Sequence, residues 1–107
     1  MTNDQKIQEL SLLQQNIANI TNQKQQFVSQ SMEMDAALQE LKKTDNAYKI
    51  IGNVMVSTKK EDLIANIKEK KEILSIKIKS FEKQENKLKE KAELMQKDIV
   101  KNLENSE

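Results

Sequence analysis

The sequence predicts a mainly α fold: one long antiparallel two-helix coiled coil with a β-hairpin at its centre. Three observations predict it. The 107 residues contain no proline and a single glycine, Gly52, too few turn residues for a domain of many short elements. Apolar side chains recur with a period of 3.5 in both halves of the chain. Between the halves, "AYKIIGNVMVST" at 47–58 gathers the densest run of Ile and Val around that glycine. The expected organisation is one domain over 1–107, with a helix over about 3–44, a hairpin over about 47–58 and a second helix over about 59–104.

The first helix begins at "TNDQ", where Thr2 and Gln5 can form a capping box that satisfies free amides of the first turn. Position a then falls at Leu10, Ile17, Lys24, Ser31 and Leu38, and position d at Leu13, Ile20, Phe27, Met34 and Leu41. Column d is apolar throughout. Lys42 and Lys43 suit the negative end of the helix dipole.

The hairpin follows. Glycine supplies a positive φ and asparagine tolerates one, so Gly-Asn between β-formers signals a two-residue turn. Tyr48, Ile50, Ile51, Val54, Met55 and Val56 crowd onto a few residues around Gly52. One face could pack on the chain's own helices, but both faces could not. An isolated two-stranded hairpin is marginal in water. These residues are therefore expected to form an assembly surface, where hairpins of several subunits join edge to edge and close a sheet into a barrel-like hub. A β-like loop folded onto the coiled coil is the alternative.

"TKKE" at 58–61 offers a second capping box, Thr58 with Glu61, before the pattern resumes. Here a is Ile64, Lys71, Ile78, Glu85, Ala92 and Ile99, and d is Ile67, Leu74, Phe81, Leu88, Met95 and Asn102. Each helix should run about 60 Å or more at ~1.5 Å per residue. Antiparallel pairing of the two stripes gives Leu41 with Ile64, Leu38 with Ile67, Phe27 with Ile78, Ile17 with Leu88 and Leu10 with Met95. The mirror point lies between Gly52 and Asn53. This register sets each polar seam residue against an apolar one, Lys24 with Phe81 and Glu85 with Ile20, and a register one heptad away also fits tolerably.

Composition removes several classes. A third of the residues are charged, but eighteen basic and seventeen acidic side chains leave a net charge of +1. That balance argues against a nucleic-acid binder, whose footprint is a basic excess, and "KEKK" at 68–71 reads as a solvated helix face. Periodic apolar residues argue against full disorder. The absence of Cys and His leaves no disulfide framework, thiolate metal site or imidazole base, and paired helices offer no pocket to tune other groups. Neither an enzyme nor a cofactor is expected. No signal peptide and no apolar run near the ~20 residues of a membrane span are present, so the expectation is a cytoplasmic chain with no membrane partner.

Helix, then "AYKIIGNVMVSTKKEDL", then a helix holding "FEKQENKL" at 81–88 resembles the β-type subunit of prefoldin. The resemblance covers essentially the whole chain and is most specific at Tyr48-Lys49, Gly52 and the following β-run. The single hairpin is similar to the β class, and "FEKQENKL" leans archaeal. The resemblance implies a hetero-hexamer of α-type subunits and other β copies whose hairpins form a double β-barrel with the coiled coils projecting from it. It further implies an ATP-independent chaperone that holds unfolded client proteins and passes them to a group II chaperonin.

With the hairpin as hub, both termini lie at the tips. Ile7, Leu12, Val100 and Leu103 are apolar but off the seam, and they join Leu10, Leu13, Met95 and Ile99 near helix ends that fray. Grouped apolar residues mark an interaction site, here the expected client-binding tip; scattered surface aliphatics are the plainer alternative. Glu104 and Glu107 are weak candidates for chaperonin docking, suggested by the resemblance. The rival function is a passive coiled-coil scaffold or tether, which accounts equally well for the seam but less readily for the apolar hairpin and the off-seam tip residues.

Overall fold

The computed structural model describes residues 2–105. The element order is α1 (Asn3–Lys42), β1 (Ala47–Ile51), β2 (Val54–Thr58) and α2 (Lys60–Asn105). The chain divides into two compact units, one joining the start of the chain through Gln25 with Lys79 onward, the other formed by Gln26–Ile78.

Helix α1 starts as its sequence requires. The Thr2 amide donates to Gln5 Oε1 at 3.0 Å, and the Gln5 amide donates to Thr2 Oγ1 at 3.2 Å. Two orphan donors are thereby satisfied reciprocally, and the Lys6 amide closes the first turn onto the Thr2 carbonyl. The helix closes with a tighter bond from the Lys43 amide to the Glu40 carbonyl. Thr44 then folds the connection by accepting from the Asn46 amide at 3.2 Å.

Helix α2 departs from expectation at its cap. Thr58 is the last residue of β2, paired with Ala47, so its backbone belongs to the hairpin. Lys59 takes the cap position, its carbonyl accepting from the Leu63 amide at 3.1 Å. Glu61 and Asp62 lie in the first turn, where carboxylates favour the positive helix end.

In the Gln26–Ile78 unit, the two helix segments bury Leu41 and Leu74, and Phe27 carries the Lys77 ammonium 5.4 Å from its ring centroid. Asp35 on α1 and Lys71 on α2 form an ion pair across the helices. The hairpin in this unit is antiparallel, with Tyr48 opposite Ser57, Ile50 opposite Met55 and Ile51 opposite Val54. Gly52 has φ of +60°, and no other residue has a positive φ among those described. The turn is thus of the II′ sense, with the left-handed position first. Asn53 does not use its tolerance for that region.

In the other unit, Leu13 and Ile99 are buried apolar side chains. Every seam position assigned from the heptads, in both units, is buried or half-buried. The pairs Asn3–Asn102 in this unit and Ile51–Val54 in the hairpin share the mirror point between Gly52 and Asn53. The register displaced by a heptad is therefore excluded within this unit.

The polar seam residues make a contact that the layer pairing alone does not foresee. The confirmed register keeps Lys24 in the layer of Phe81 and Glu85 in that of Ile20, but neither charge is isolated there. Instead, Lys24 Nζ reaches Glu85 Oε1 at 3.0 Å, Thr21 donates its hydroxyl to Glu85 Oε2, and Lys89 flanks the same carboxylate at 3.7 Å. Glu85 is only 5% exposed. A carboxylate so far out of water is tolerable only when its lone pairs are filled, and the long Lys24 stem can cross one layer to do it.

Candidate functional site

The hairpin is exposed on both faces. Tyr48, Ile50, Met55 and Ser57 share one face, since directly opposed residues project together; Lys49, Ile51, Val54 and Val56 share the other. Tyr48, Ile50, Ile51, Val54, Met55 and Val56 are between 42% and 69% exposed. Ala47 alone is buried, anchoring the base of β1. The looped-down alternative, in which one apolar face is covered by the chain's own helices, does not occur. Beneath β1 an open apolar groove of about 620 Å³ is lined by Ala37, Leu41, Tyr48, Ile50, Leu63 and Ile67, among others. Both strand edges lack a neighbour in this two-stranded sheet, and such edges invite further strands.

The second group lies where the start of α1 meets the end of α2. Asn102 Nδ2 donates to Asn3 Oδ1 at 3.2 Å, and Lys6 Nζ meets Asp98 Oδ2 at 2.6 Å. The seam thus continues one heptad past the apolar columns through Asn3 and Lys6. Their polarity hid them from a hydrophobic pattern, although their spacing from Leu10 and Leu13 is that of the next a and d positions.

The eight apolar residues expected at this end divide by environment. Leu13 and Ile99 are buried, Leu10 and Met95 half-buried, and Ile7, Leu12, Val100 and Leu103 exposed by about half. In an antiparallel pair, e positions of both helices share one flank, and g with its neighbour c shares the other. Ile7 and Leu103 (e) and Val100 (b) accordingly fall on one flank. Leu12 (c) falls on the other, together with Leu94 (c), an exposed leucine the tip pattern does not include. Val100 contributes to a shallow groove of about 360 Å³ with Glu93, Gln96, Lys97, Lys101 and Glu104. Leu94 and Met95 line a second of about 360 Å³ with Lys6, Lys91 and Asp98. Glu104 is exposed, whereas Glu107 lies outside the described residues.

The electrostatics of the site reduce to one perturbed group. The Thr21 hydroxyl first, then the Lys24 ammonium, hold the Glu85 carboxyl below its ordinary value of 4.5, outweighing the opposite effect of burial. No cluster of His, Cys, Asp or Glu suited to a metal ion occurs among the described residues, and no helix among them is long and apolar enough to cross a membrane. What the geometry provides is apolar surface on paired helices and an open hairpin.

Known proteins share this arrangement. Residues 4–106 match the prefoldin subunit family. The prefoldin subunit beta of Archaeoglobus fulgidus is 40% identical over 95 residues, covering 85% of this chain and 82% of its own. That of Methanospirillum hungatei is 37% identical over 101 residues, covering 92% and 84%. The crystal structure of the prefoldin beta subunit from Thermococcus strain KS-1 superposes with a TM-score of 0.89 at 31% identity, over 94% of this chain and 91% of that one. With paired helices, one hairpin and relatives of the β class across nearly its whole length, the chain belongs to the prefoldin family of chaperone subunits and is of the β type.

Proposed function

We propose that this chain is one subunit of a cytoplasmic, ATP-independent holding chaperone. It assembles through its hairpin with α-type prefoldin subunits and other β copies into a hetero-hexamer with a β-barrel hub. It binds unfolded polypeptides at the end where its termini meet, and delivers them to a group II chaperonin. The observation that carries the holding role is the uncovered apolar flank formed by Ile7, Val100 and Leu103, with Leu12 across the pair. Leu10 and Met95 lie half-covered beside it, and the buried Leu13 and Ile99 support it from the seam. The assembly role is supported by Tyr48, Ile50, Ile51, Val54, Met55 and Val56, whose exposure on both faces of a hairpin turned by Gly52 is costly in a lone chain.

Capture by this surface is weak at any one point. A fully buried aliphatic side chain contributes about 1.5–3 kcal/mol, and ordering an unfolded chain offsets much of that. Several subunits engaging one client raise the effective concentration and make holding firm. Release requires no nucleotide, because each contact breaks separately. Glu104, with Glu107 further on, supplies negative charge for docking on a basic chaperonin surface.

Changing Ile7, Leu12, Val100 and Leu103 together to Ser tests the holding role. These side chains are half in water already, so the expected result is an unchanged hexamer mass, measured after co-expression with an α-type subunit. The same variant should no longer suppress aggregation of a chemically unfolded client. Retained suppression by an intact assembly would refute the assignment.

A further inference from the structure

Helix α2 carries a row of four lysines, Lys79, Lys83, Lys87 and Lys91, each four residues after the last and all exposed. Residues four apart on a helix are neighbours, and like charges there repel. The row therefore works against the helix it sits on. Lys89 and Lys97 of the same helix are held by Glu85 and Glu93, whereas none of the four has an ion pair among the described residues. Lys83 and Lys91 have no acidic residue at the positions three or four away on either side, where helix neighbours meet. Across the pair, α1 offers no neutralising partner, because residues 10–23 contain no charged side chain. The row crosses the outer face of α2 diagonally and descends to the flank of Leu94 and Leu12. There Lys91 borders the groove formed with Leu94 and Met95.

We infer that this row and the Leu94 groove form a docking surface for an extended acidic segment of a partner polypeptide, one whose carboxylates alternate along the chain and end in an apolar side chain. The spacing fits: lysines four apart rise about 6 Å, close to the ~6.6 Å between alternate side chains of an extended strand. Charge complementarity also selects a peptide over nucleic acid. Glu82 and Glu90 stand three residues beyond Lys79 and Lys87; they repel a continuous phosphate chain, whereas between its carboxylates an alternating peptide presents only uncharged backbone to the helix. The surface is distinct from the Ile7 and Val100 flank and does not depend on client holding there.

The test uses the full chain and a fluorescent peptide of four Glu-Ser repeats ending in Leu-Leu, titrated by anisotropy at low salt. Changing Lys79, Lys83, Lys87 and Lys91 to Gln is expected to weaken binding about tenfold, since exposed charge pairs are individually weak and additive over four sites. Changing them to Arg should preserve binding. Gln is a good helix former and removes the repulsion, so the Gln variant should melt no lower than the parent. A matched variant with Gln at Lys59, Lys68, Lys70 and Lys101 should lose less than about twofold. Leu94→Ser should weaken the Leu-Leu peptide but not one ending in Ser-Ser, while Ile7→Ser with Val100→Ser should leave binding of the Ser-Ser peptide unchanged. Equal loss in the matched variant, equal binding of a peptide with Gln in place of Glu, or tighter row-dependent binding of an oligothymidylate would each overturn the proposal.

Discussion

Leu74→Ala measures how much a two-helix seam contributes to this fold. Leu74 is 6% exposed, at a d position of α2 in the Gln26–Ile78 unit. The substitution removes three buried carbons at about 0.8 kcal/mol each, or about 2.4 kcal/mol of transfer free energy. Leu→Ala changes in thick cores cost about 2–5 kcal/mol, because a cavity is left that neighbours only partly fill. A seam one layer thick has no second shell to hold such a cavity dry, so the cost should fall near the transfer value. For a chain of this size each kcal/mol shifts Tm by about 4–8 °C, giving a fall of at least about 10 °C. The assay is thermal unfolding by far-UV circular dichroism at one fixed protein concentration, since assembly would otherwise move Tm. Ile76→Ala, two residues on but 65% exposed, should change stability by no more than about 0.5 kcal/mol. Equal effects at the two sites would refute the seam assignment, because both residues are aliphatic and only burial distinguishes them.

Two further outcomes follow from local geometry. Glu85 is held below its ordinary value of 4.5 in the folded chain, so its contribution to stability is complete above that pH and is lost as pH falls through the lowered value. Glu85→Gln should therefore flatten the acid side of the stability profile between neutral pH and the region below 4.5, and an acid limb identical to that of the parent would contradict the Thr21–Lys24–Glu85 layer. At Gly52 a Cβ would meet nothing within 4 Å, so Gly52→Ala costs only the strain of φ +60°, about 1–2 kcal/mol; Gly52→Asn should cost less. Both are read from the midpoint of urea unfolding followed by far-UV circular dichroism, and a larger penalty for Asn than for Ala would count against the turn geometry.

Much of this architecture is legible in the residues because it rests on local rules. Thr2 and Gln5 cap α1 by reaching three residues along the chain, and the columns from Leu10 to Leu41 and Ile64 to Ile99 follow from helical periodicity. Gly52 marks a turn because only glycine enters the left-handed region without strain. The same logic misled where two signals competed for one residue. Thr58 has a good cap side chain, but its backbone is committed to Ala47 across the hairpin, so Lys59 caps α2 instead. Asn3 and Lys6 were illegible as seam residues, because a pattern built on apolar side chains ends where polar pairs take over.

The candidate surfaces divide along the same line. Off-seam aliphatics such as Ile7 and Val100 can be picked out by their heptad positions, but periodicity does not say which of them stand together. That was decided by the antiparallel pairing of the helix ends, which brings e positions to one flank and leaves Leu12 and Leu94 on the other. The polar layer is the clearest case. Lys24 and Glu85 are sixty-one residues apart, and treated as separate helix positions each looks like a charge snorkelling out of an apolar layer. Helix type, turn position and seam columns are set by forces acting over a few residues, and the amino-acid order alone specifies them. Which charges meet, and which apolar side chains remain in water, depends on how two distant segments pack, because only packing removes water from one side of a residue and leaves it on the other.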